Sequence, residues 1–373
     1  MEAYIEYVIL IFLLVFFCLQ LYYLLGVQRK LAVYHPKEKT INPNFKASVI
    51  ICARNEAANL KENLPFIFEQ KGIDFEVVVV NDCSSDTSDE ILRAFKAEYN
   101  NLKIVTKDEH PLFKTGKKFA VTLGIKASSN EVLVFTDADC KPETNQWLAT
   151  ICSNYEDTNT EIVLGYSPYK RSKGLLNLLI RYETFQTALN YFSFAIKGMP
   201  YMGVGRNLSY KKSLFFRGKG FASHMHIQSG DDDLFVNQNA NEYNTAIEIR
   251  PESNVWTEAK TTWKAYWMQK LRHFGAGKAY KKSHKLQLTL QALSSIGFYA
   301  FVLLGALLTH YWPYVLAAFV LRFLIQSFVF YKSFIILRYK DLIWWLLFID
   351  PLYYLFLVII SVRRLFRKKQ VWK

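Results

Sequence analysis

Asp137-Ala138-Asp139 follows directly on the apolar run Glu131 to Thr136. Two carboxylates flanking one small residue at a strand tip can hold Mg²⁺ or Mn²⁺ beside a diphosphate. If the chain stays extended there, residues at i and i+2 point the same way. A second acidic cluster is Gly230-Asp231-Asp232-Asp233-Leu234. Three adjacent carboxylates repel, so a substrate, metal or basic group beside them is the natural reason to keep them together. The plainer alternative is a solvated turn. Gly203-Val204-Gly205-Arg206-Asn207 supplies a permissive backbone that a ligand could approach closely. Gln269 and Arg272, followed by His273, share one face if their stretch is helical, and Arg272 suits a phosphate.

Parallel strands are the elements that would position these groups. Ala47 to Ala53, Phe75 to Asn81, Leu102 to Val105 and Glu131 to Thr136 are short apolar runs, continuous as in strands buried on both faces. Helical spacing appears over Asn59 to Lys71, Ser84 to Tyr99 and Gly116 to Ala127. This alternation predicts an α/β fold with an open, mostly parallel sheet. Ligands of such sheets bind beyond the C-terminal strand edges. Arg54-Asn55-Glu56, Asn81-Asp82 and Asp137-Ala138-Asp139 all lie there. No G-x-G-x-x-G follows the first strand, which disfavours a dinucleotide fold of the dehydrogenase type.

The 373 residues carry 46 Lys and Arg against 32 Asp and Glu, a net charge of +14. Apolar residues clump at both ends. Ile5 to Gly26 is long enough to cross a bilayer, and its acidic start, length and bulky following residues argue for an uncleaved anchor over a signal peptide. Leu286 to Leu308, Tyr311 to Tyr331 and Leu342 to Val362 are further candidate spans. Gln28-Arg29-Lys30 puts the central body on the cytoplasmic side, and the basic end from Arg363 to Lys373 favours the same side. That requires an even number of C-terminal crossings. The run expected not to span is Leu342 to Val362, re-entrant or partly interfacial because Asp350-Pro351 breaks it; the alternative is that the run after Lys285 begins as a surface helix. No Asp or Glu occurs from Ala259 to Lys340, so the basic residues there read as contacts to an anionic leaflet or a phosphate-bearing substrate. No nucleic-acid-binding module is recognisable. Cys18, Cys52, Cys83, Cys140 and Cys152 match neither a zinc spacing nor a disulfide framework, which suits a reducing compartment.

In this order the motifs resemble the membrane-bound inverting glycosyltransferases of family 2, whose relatives include cellulose, chitin and hyaluronan synthases and ceramide glucosyltransferase. The likeness covers about Ala47 to Phe274. It implies a nucleotide-sugar-transferase (GT-A-like) fold with transmembrane helices at both ends. The implied organisation is an anchor over 1–26, a cytoplasmic transferase domain over 27–284, two or three membrane segments over 285–362 and a basic cytoplasmic tail over 363–373.

The resemblance also implies roles. Asn55 and Glu56 border the nucleotide, and Asp82 meets the uracil or ribose, with Cys83 standing where Gly is usual. Thr115-Gly116-Lys117-Lys118 matches the loop whose Lys reaches the donor phosphates, assigned to Lys117. Asp139 is the firmer metal ligand, and Asp137 faces the donor sugar or diphosphate. Asp232 is the expected base, with Asp231 or Asp233 as alternatives because the spacing to Leu234 departs from the common pattern. Gly203, Gly205, Gln269, Arg272 and His273 belong to the acceptor and diphosphate region, His273 replacing the family's Trp. The implied reaction is metal-dependent, inverting transfer from a nucleoside diphosphate sugar, a UDP-sugar by expectation, to a membrane lipid. A processive polysaccharide synthase and a non-catalytic nucleotide-sugar-binding scaffold are the alternatives. The expected setting is a multi-pass membrane protein.

Overall fold

The computed structural model describes residues 2–36, 45–107, 116–227, 229–273 and 275–365. They form two compact units. A sheet unit comprises His35–Ser172 and Gly198–Tyr280, and a helical unit comprises Met1–Tyr34, Lys173–Lys197 and Lys281–Gln370.

The sheet unit contains β1 (Lys46–Ala53), β2 (Asp74–Asp82), β3 (Leu102–Lys107), β4 (Val132–Asp137), β5 (Cys140–Pro142), β6 (Ile162–Leu164), β7 (Leu208–Lys211), β8 (Thr245–Ile247) and β9 (Val255–Thr257). Seven strands form one sheet in the order β3-β2-β1-β4-β7-β6-β8, and β5 pairs with β9 in a second. The four strands expected from the sequence are all parallel neighbours. β7 runs antiparallel to both β4 and β6, which makes the sheet mixed. Val49, Val77 to Val80, Leu133 and Val134 are fully buried, which is why their runs show no alternation.

Helix Ala57–Phe68 overlaps the predicted Asn59 to Lys71 but begins at Ala57, and helices Ser88–Glu98 and Lys117–Ala127 fall in the predicted stretches. Leu60, Leu64 and Ile67, at helical spacing, give the first of these its buried face. Burying each such side chain stabilises the fold by about 1.5–3 kcal/mol. On the third helix a Cβ at Gly124 would come within 2.7 Å of the Ile50 side chain, so only glycine permits this close approach to β1.

Among the described residues of the helical unit four helices are long and apolar enough to cross a membrane: Tyr4–Ala32, Lys282–Leu308, Trp312–Ile336 and Lys340–Arg363. Large apolar side chains, among them Ile11, Leu14, Leu307, Leu324, Phe328 and Phe348, stay exposed on them. Such a surface suits lipid and marks a multi-pass membrane protein.

Two expectations are corrected here. Asp350-Pro351 does not interrupt its run, because the helix Leu346–Leu365 continues through both residues. Asp350 is 1% exposed. It accepts hydrogen bonds from Arg322 and Gln186 at 3.2 Å and from the hydroxyls of Tyr182 and Tyr299. A carboxylate so covered by protein loses most of the cost it would have in lipid.

The stretch 27–284 is also not one contiguous body. The helix Leu175–Ile196 belongs to the helical unit. There Arg181 makes a two-pronged ion pair to Asp341 at 2.5 and 2.9 Å, and the Phe185 ring stacks 4.0 Å from that of Phe334.

Candidate active site

The C-terminal edges of β1, β2 and β4 hold the polar residues singled out in the sequence. Past β1, Asn55 adopts a left-handed φ of 57°. Its backbone N–H donates to Ser84 Oγ at 3.0 Å, and its side-chain oxygen accepts from Ser85 N at 2.7 Å. The loops after β1 and β2 are thereby tied together. Asp86 strengthens the tie by accepting from Ala57 N and from Ser88. Desolvation works against the charge of the Asp86 carboxyl, but these bonds together outweigh it and hold the group below its ordinary pKa.

Glu56 accepts from Asn59 and is raised in pKa, chiefly by burial and then by the charges of Asp139 and Asp137. At the end of β2, Asp82 is ion-paired with Lys107 at 2.6 Å, a consequence of the β2–β3 register. Cys83, where the family's Gly is usual, has φ 56°. That left-handed backbone explains a preference for Gly at this position.

Asp137 is the last residue of β4, and Cys140 is the first of β5 in the other sheet. The pair Asp137 and Asp139 is therefore not presented on an extended strand, as the i, i+2 reading expected. Ala138-Asp139 form a turn. The turn still brings one donor atom each of Asp137, Asp139 and Cys140 within 4.8 Å of one another. Asn63 Nδ2 donates to Ala138 O at 2.9 Å and holds the turn. Burial and the two neighbouring carboxylates push the Cys140 thiol well up, so it stays protonated and the carboxylates are the hard ligands. An oxygen pair of this kind fits Mg²⁺ or Mn²⁺ better than a soft metal.

Lys117 opens the helix Lys117–Ala127. Its Nζ lies 2.7 Å from Asp137 Oδ1 and 3.6 Å from Asp231 Oδ2. Burial works against its charge, yet the two carboxylates outweigh it and hold the ammonium well above its ordinary pKa. Lys118 is turned away and buried, donating to the carbonyls of His224 and Ile227 at 2.6 and 2.9 Å. Burial lowers it to about 8, with the acidic triad opposing. It anchors the segment that leads to that triad. Thr115 of the same motif lies outside the described residues.

The three consecutive aspartates have separate surroundings. Gly230, at φ 92°, turns the chain into them. Asp232 caps the helix Asp233–Asn239, its Oδ1 accepting from Asp233 N at 2.8 Å. Its Oδ2 accepts from Gly205 N at 2.7 Å. Burial and then Asp231 raise its pKa, against Lys117 and these two amides. Asp233 accepts from Tyr280 Oη and from its neighbour's amide at 2.7 Å. Burial and the Asp232 charge push it up to about 7. Asp231, 15% exposed at its side chain, faces Lys117.

A cleft of about 320 Å³, counting its open mouth, is lined by Lys117, Asp137, Gly205, Asp231 and Asp232, over a floor that includes Cys52, Thr136 and Tyr210. Of the residues singled out in the sequence, the structure thus gathers Lys117, Asp137, Asp231, Asp232 and Gly205. Asp139 joins them through the turn. Gly203 packs against Leu208, Leu164 and Val236 instead of facing the cleft. Gln269 lies on the expected helix, Trp263–His273, outside the residues lining the cleft. The side chains of Arg272 and His273 lie outside the described residues.

Several organising residues carry no assigned role in the sequence reading, Asn207 among them, which is named there only as part of its loop. Asn207 is fully buried, accepts from Trp147 Nε1, and donates to the carbonyls of Tyr166 and Ser253. Lys107, Asn63 and Tyr280 act through strand register or distant contact, for which local sequence carries no signal. Arg206 was named only as part of its loop. Its guanidinium lies 4.5 Å over the Tyr169 ring.

Residues 48–213 match the family model "Glycosyl transferase family 2". The chain is 34% identical over 173 residues to glycosyltransferase AglE of Haloferax volcanii, covering 46% of this chain and 52% of that protein. It is 30% identical over 139 residues to the 4,4'-diaponeurosporenoate glycosyltransferase of Staphylococcus haemolyticus, covering 35% and 36%. The chain thus spans about half or less of the length of these relatives. The fold is like that of the mannosyltransferase PcManGT from Pyrobaculum calidifontis, solved with GDP-Man and Mn²⁺. The TM-score is 0.59 at 19% identity, over 90% of this chain and 98% of the other. Residues 48–213, which carry Asp82, Asp137 and Asp139 on the strand edges of a GT-A-like sheet, thus match glycosyltransferase family 2.

Proposed function

We propose that this protein transfers a sugar from a nucleoside diphosphate sugar to a hydroxyl of a membrane lipid, with inversion and with a divalent cation. The observation that carries this is the convergence of Asp137, Lys117 and Asp231 in one cleft, next to the Asp137-Ala138-Asp139 turn. A UDP-sugar is the donor expected from the motifs. The GDP-Man and Mn²⁺ of the structural neighbour support the broader class of nucleotide sugar plus divalent metal. The four span-length helices support a lipid acceptor. Gln28-Arg29-Lys30, beside the first span, supports a cytoplasmic face for the sheet unit.

Asp139 and Asp137 would hold the cation, which when bound supplies positive charge to the leaving diphosphate. Lys117 adds a fixed positive charge to the same group. Asn55, Glu56 and Asp82, on the two tied loops, border the nucleotide.

We assign the base to Asp231 in preference to Asp232. Both oxygens of Asp232 already accept backbone N–H bonds, whereas Asp231 faces the cleft across from Lys117. Asp231 takes the proton of the acceptor hydroxyl as its oxygen bonds to the anomeric carbon. The bond from that carbon to the diphosphate oxygen breaks on the opposite face, and the nucleoside diphosphate leaves with the electron pair.

The test uses the full chain in lipid nanodiscs with Mn²⁺ or Mg²⁺, a panel of radiolabelled nucleotide sugars and extracted lipids, with mass analysis of products. A single-sugar lipid is expected. A ladder of sugars would replace the lipid reading with a polymer. Absence of any metal-dependent donor binding or transfer would sink the proposal.

A further inference from the structure

Arg206 is a cation of the sheet unit that the transfer described above does not use. It sits in the turn Gly205–Asn207, which is held at both ends. Gly205 N donates to Asp232 Oδ2 at 2.7 Å, and the fully buried Asn207 donates to the carbonyls of Tyr166 and Ser253. The guanidinium lies 4.5 Å over the ring of Tyr169, which is itself buried. Tyr169 bridges to Thr257 of β9, and Thr257 pairs with Cys140 of β5. This row brings the guanidinium to the Asp137–Cys140 turn, where its charge is felt at both Cys140 and Asp137.

Four arginines among the described residues are withdrawn from water. Arg181 is paired with Asp341, Arg250 with Glu248 and Arg322 with Asp350. Arg206 alone has no carboxylate within ion-pair distance. One terminal nitrogen reaches Ser167 O at a long 3.4 Å, and the buried Nε–H has no partner. A guanidinium partly out of water without an anion is costly, and its planar fork of donors suits a phosphate.

We infer that Arg206 binds the sugar-bearing phosphate of the nucleoside diphosphate donor, as a second cation beside Lys117. This rests on the nucleotide-sugar reading above. Arg206 borders the turn that offers oxygen ligands to a divalent cation. Its neighbour Gly205 meets Asp232, in the triad where the acceptor hydroxyl loses its proton. The reacting sugar lies between turn and triad, so the phosphate within reach is the one bonded to it. A phosphate on the acceptor lipid would have the same chemistry, and the test separates the two sources.

The test is calorimetric titration of the full chain in lipid nanodiscs, at saturating Mn²⁺, with UDP, GDP and their monophosphates UMP and GMP. Wild type should bind one diphosphate more tightly than its monophosphate. Arg206→Gln should weaken that diphosphate about 10–100-fold, the effect of losing hydrogen bonds to a charged group, and shift the monophosphate by less than about twofold. Arg206→Lys should recover part of the loss, since it keeps the charge without the fork. Melting curves check that each variant is folded, and Arg206→Lys carries the comparison if Arg206→Gln is not. Equal losses for diphosphate and monophosphate would mean that Arg206 only supports the fold, and would overturn the inference. Full diphosphate affinity in folded Arg206→Gln would also overturn it, and a raised KM for a phosphorylated lipid alone would move the contact to the acceptor. Absence of diphosphate binding by wild type would instead sink the nucleotide-sugar reading, and this inference with it.

Discussion

Lys117 Nζ stands 2.7 Å from Asp137 Oδ1. A basic residue at the start of one helix and an acidic residue at the end of one strand thus already form a paired site. Lys117→Met should lower kcat by about 10²–10³-fold, the usual effect of losing one preorganised charge on a leaving group. Lys117→Arg should recover part of it. Steady-state transfer rates and donor titrations on the same preparations check both. Unchanged rates would remove Lys117 from the chemistry.

Asp139→Ala should weaken divalent-metal-dependent donor binding by more than about 100-fold, since even outer-shell changes at metal sites cost 10–100-fold. Calorimetric titration of nucleotide sugar with and without Mn²⁺ measures this. The thermal midpoint without metal should barely move, because the turn is held by Asn63 and Ala138 O.

Asp231→Asn and Asp232→Asn should separate. The first is expected to cut kcat by about 10²–10⁴-fold with donor affinity nearly unchanged. The second removes charge from a helix cap that also accepts from Gly205. It should cost about 1–2 kcal/mol of stability, visible as a lower melting temperature. If Asp232→Asn abolished turnover in a fully folded protein while Asp231→Asn did not, the base would move to Asp232.

Asp233 imposes a pH dependence on stability. Its folded pKa is raised to about 7, so between about 4 and 7 the folded state binds the proton more tightly than the unfolded state. Its contribution is therefore full below about 4 and is lost as pH rises through 7. His224, lowered to about 4 by burial, acts with the opposite sign over part of this window. The informative quantity is thus the difference between wild type and Asp233→Asn. Melting curves from pH 5 to 8 should show the variant gaining relative stability as pH rises. A constant difference would refute the raised carboxyl.

Arg322→Met should destabilise the helical unit by about 3–5 kcal/mol by leaving Asp350 buried without its charge partner. Adding Asp350→Asn should restore much of the loss. Monodisperse yield and thermal unfolding in detergent distinguish the single from the double variant.

Much of the sheet unit was legible locally. Continuous valine-rich runs and helical spacing placed β1 to β4 and their helices within a few residues, because burial on both faces leaves its mark on each short stretch. The acidic motifs were legible as well. β6 to β9 were not, since strands of three or four residues carry too little pattern to separate from loops. The helix Leu175–Ile196 was unreadable as a membrane-unit element because its decisive partners, Asp341 and Asp350, lie more than 150 residues away.

By itself, then, the sequence determined the family of motifs, the parallel half of the sheet and the apolar runs at both ends. Each depends on side-chain type at short spacing, which the chain carries wherever it folds. Only the tertiary structure decided which aspartate of Asp231-Asp232-Asp233 faces Lys117 and which caps a helix, since one turn at Gly230 directs neighbouring side chains to different partners. It also decided that Asp350 could remain inside a span-length helix. The cost of a buried charge is set by the groups within about 3 Å of it, and those come from three other helices.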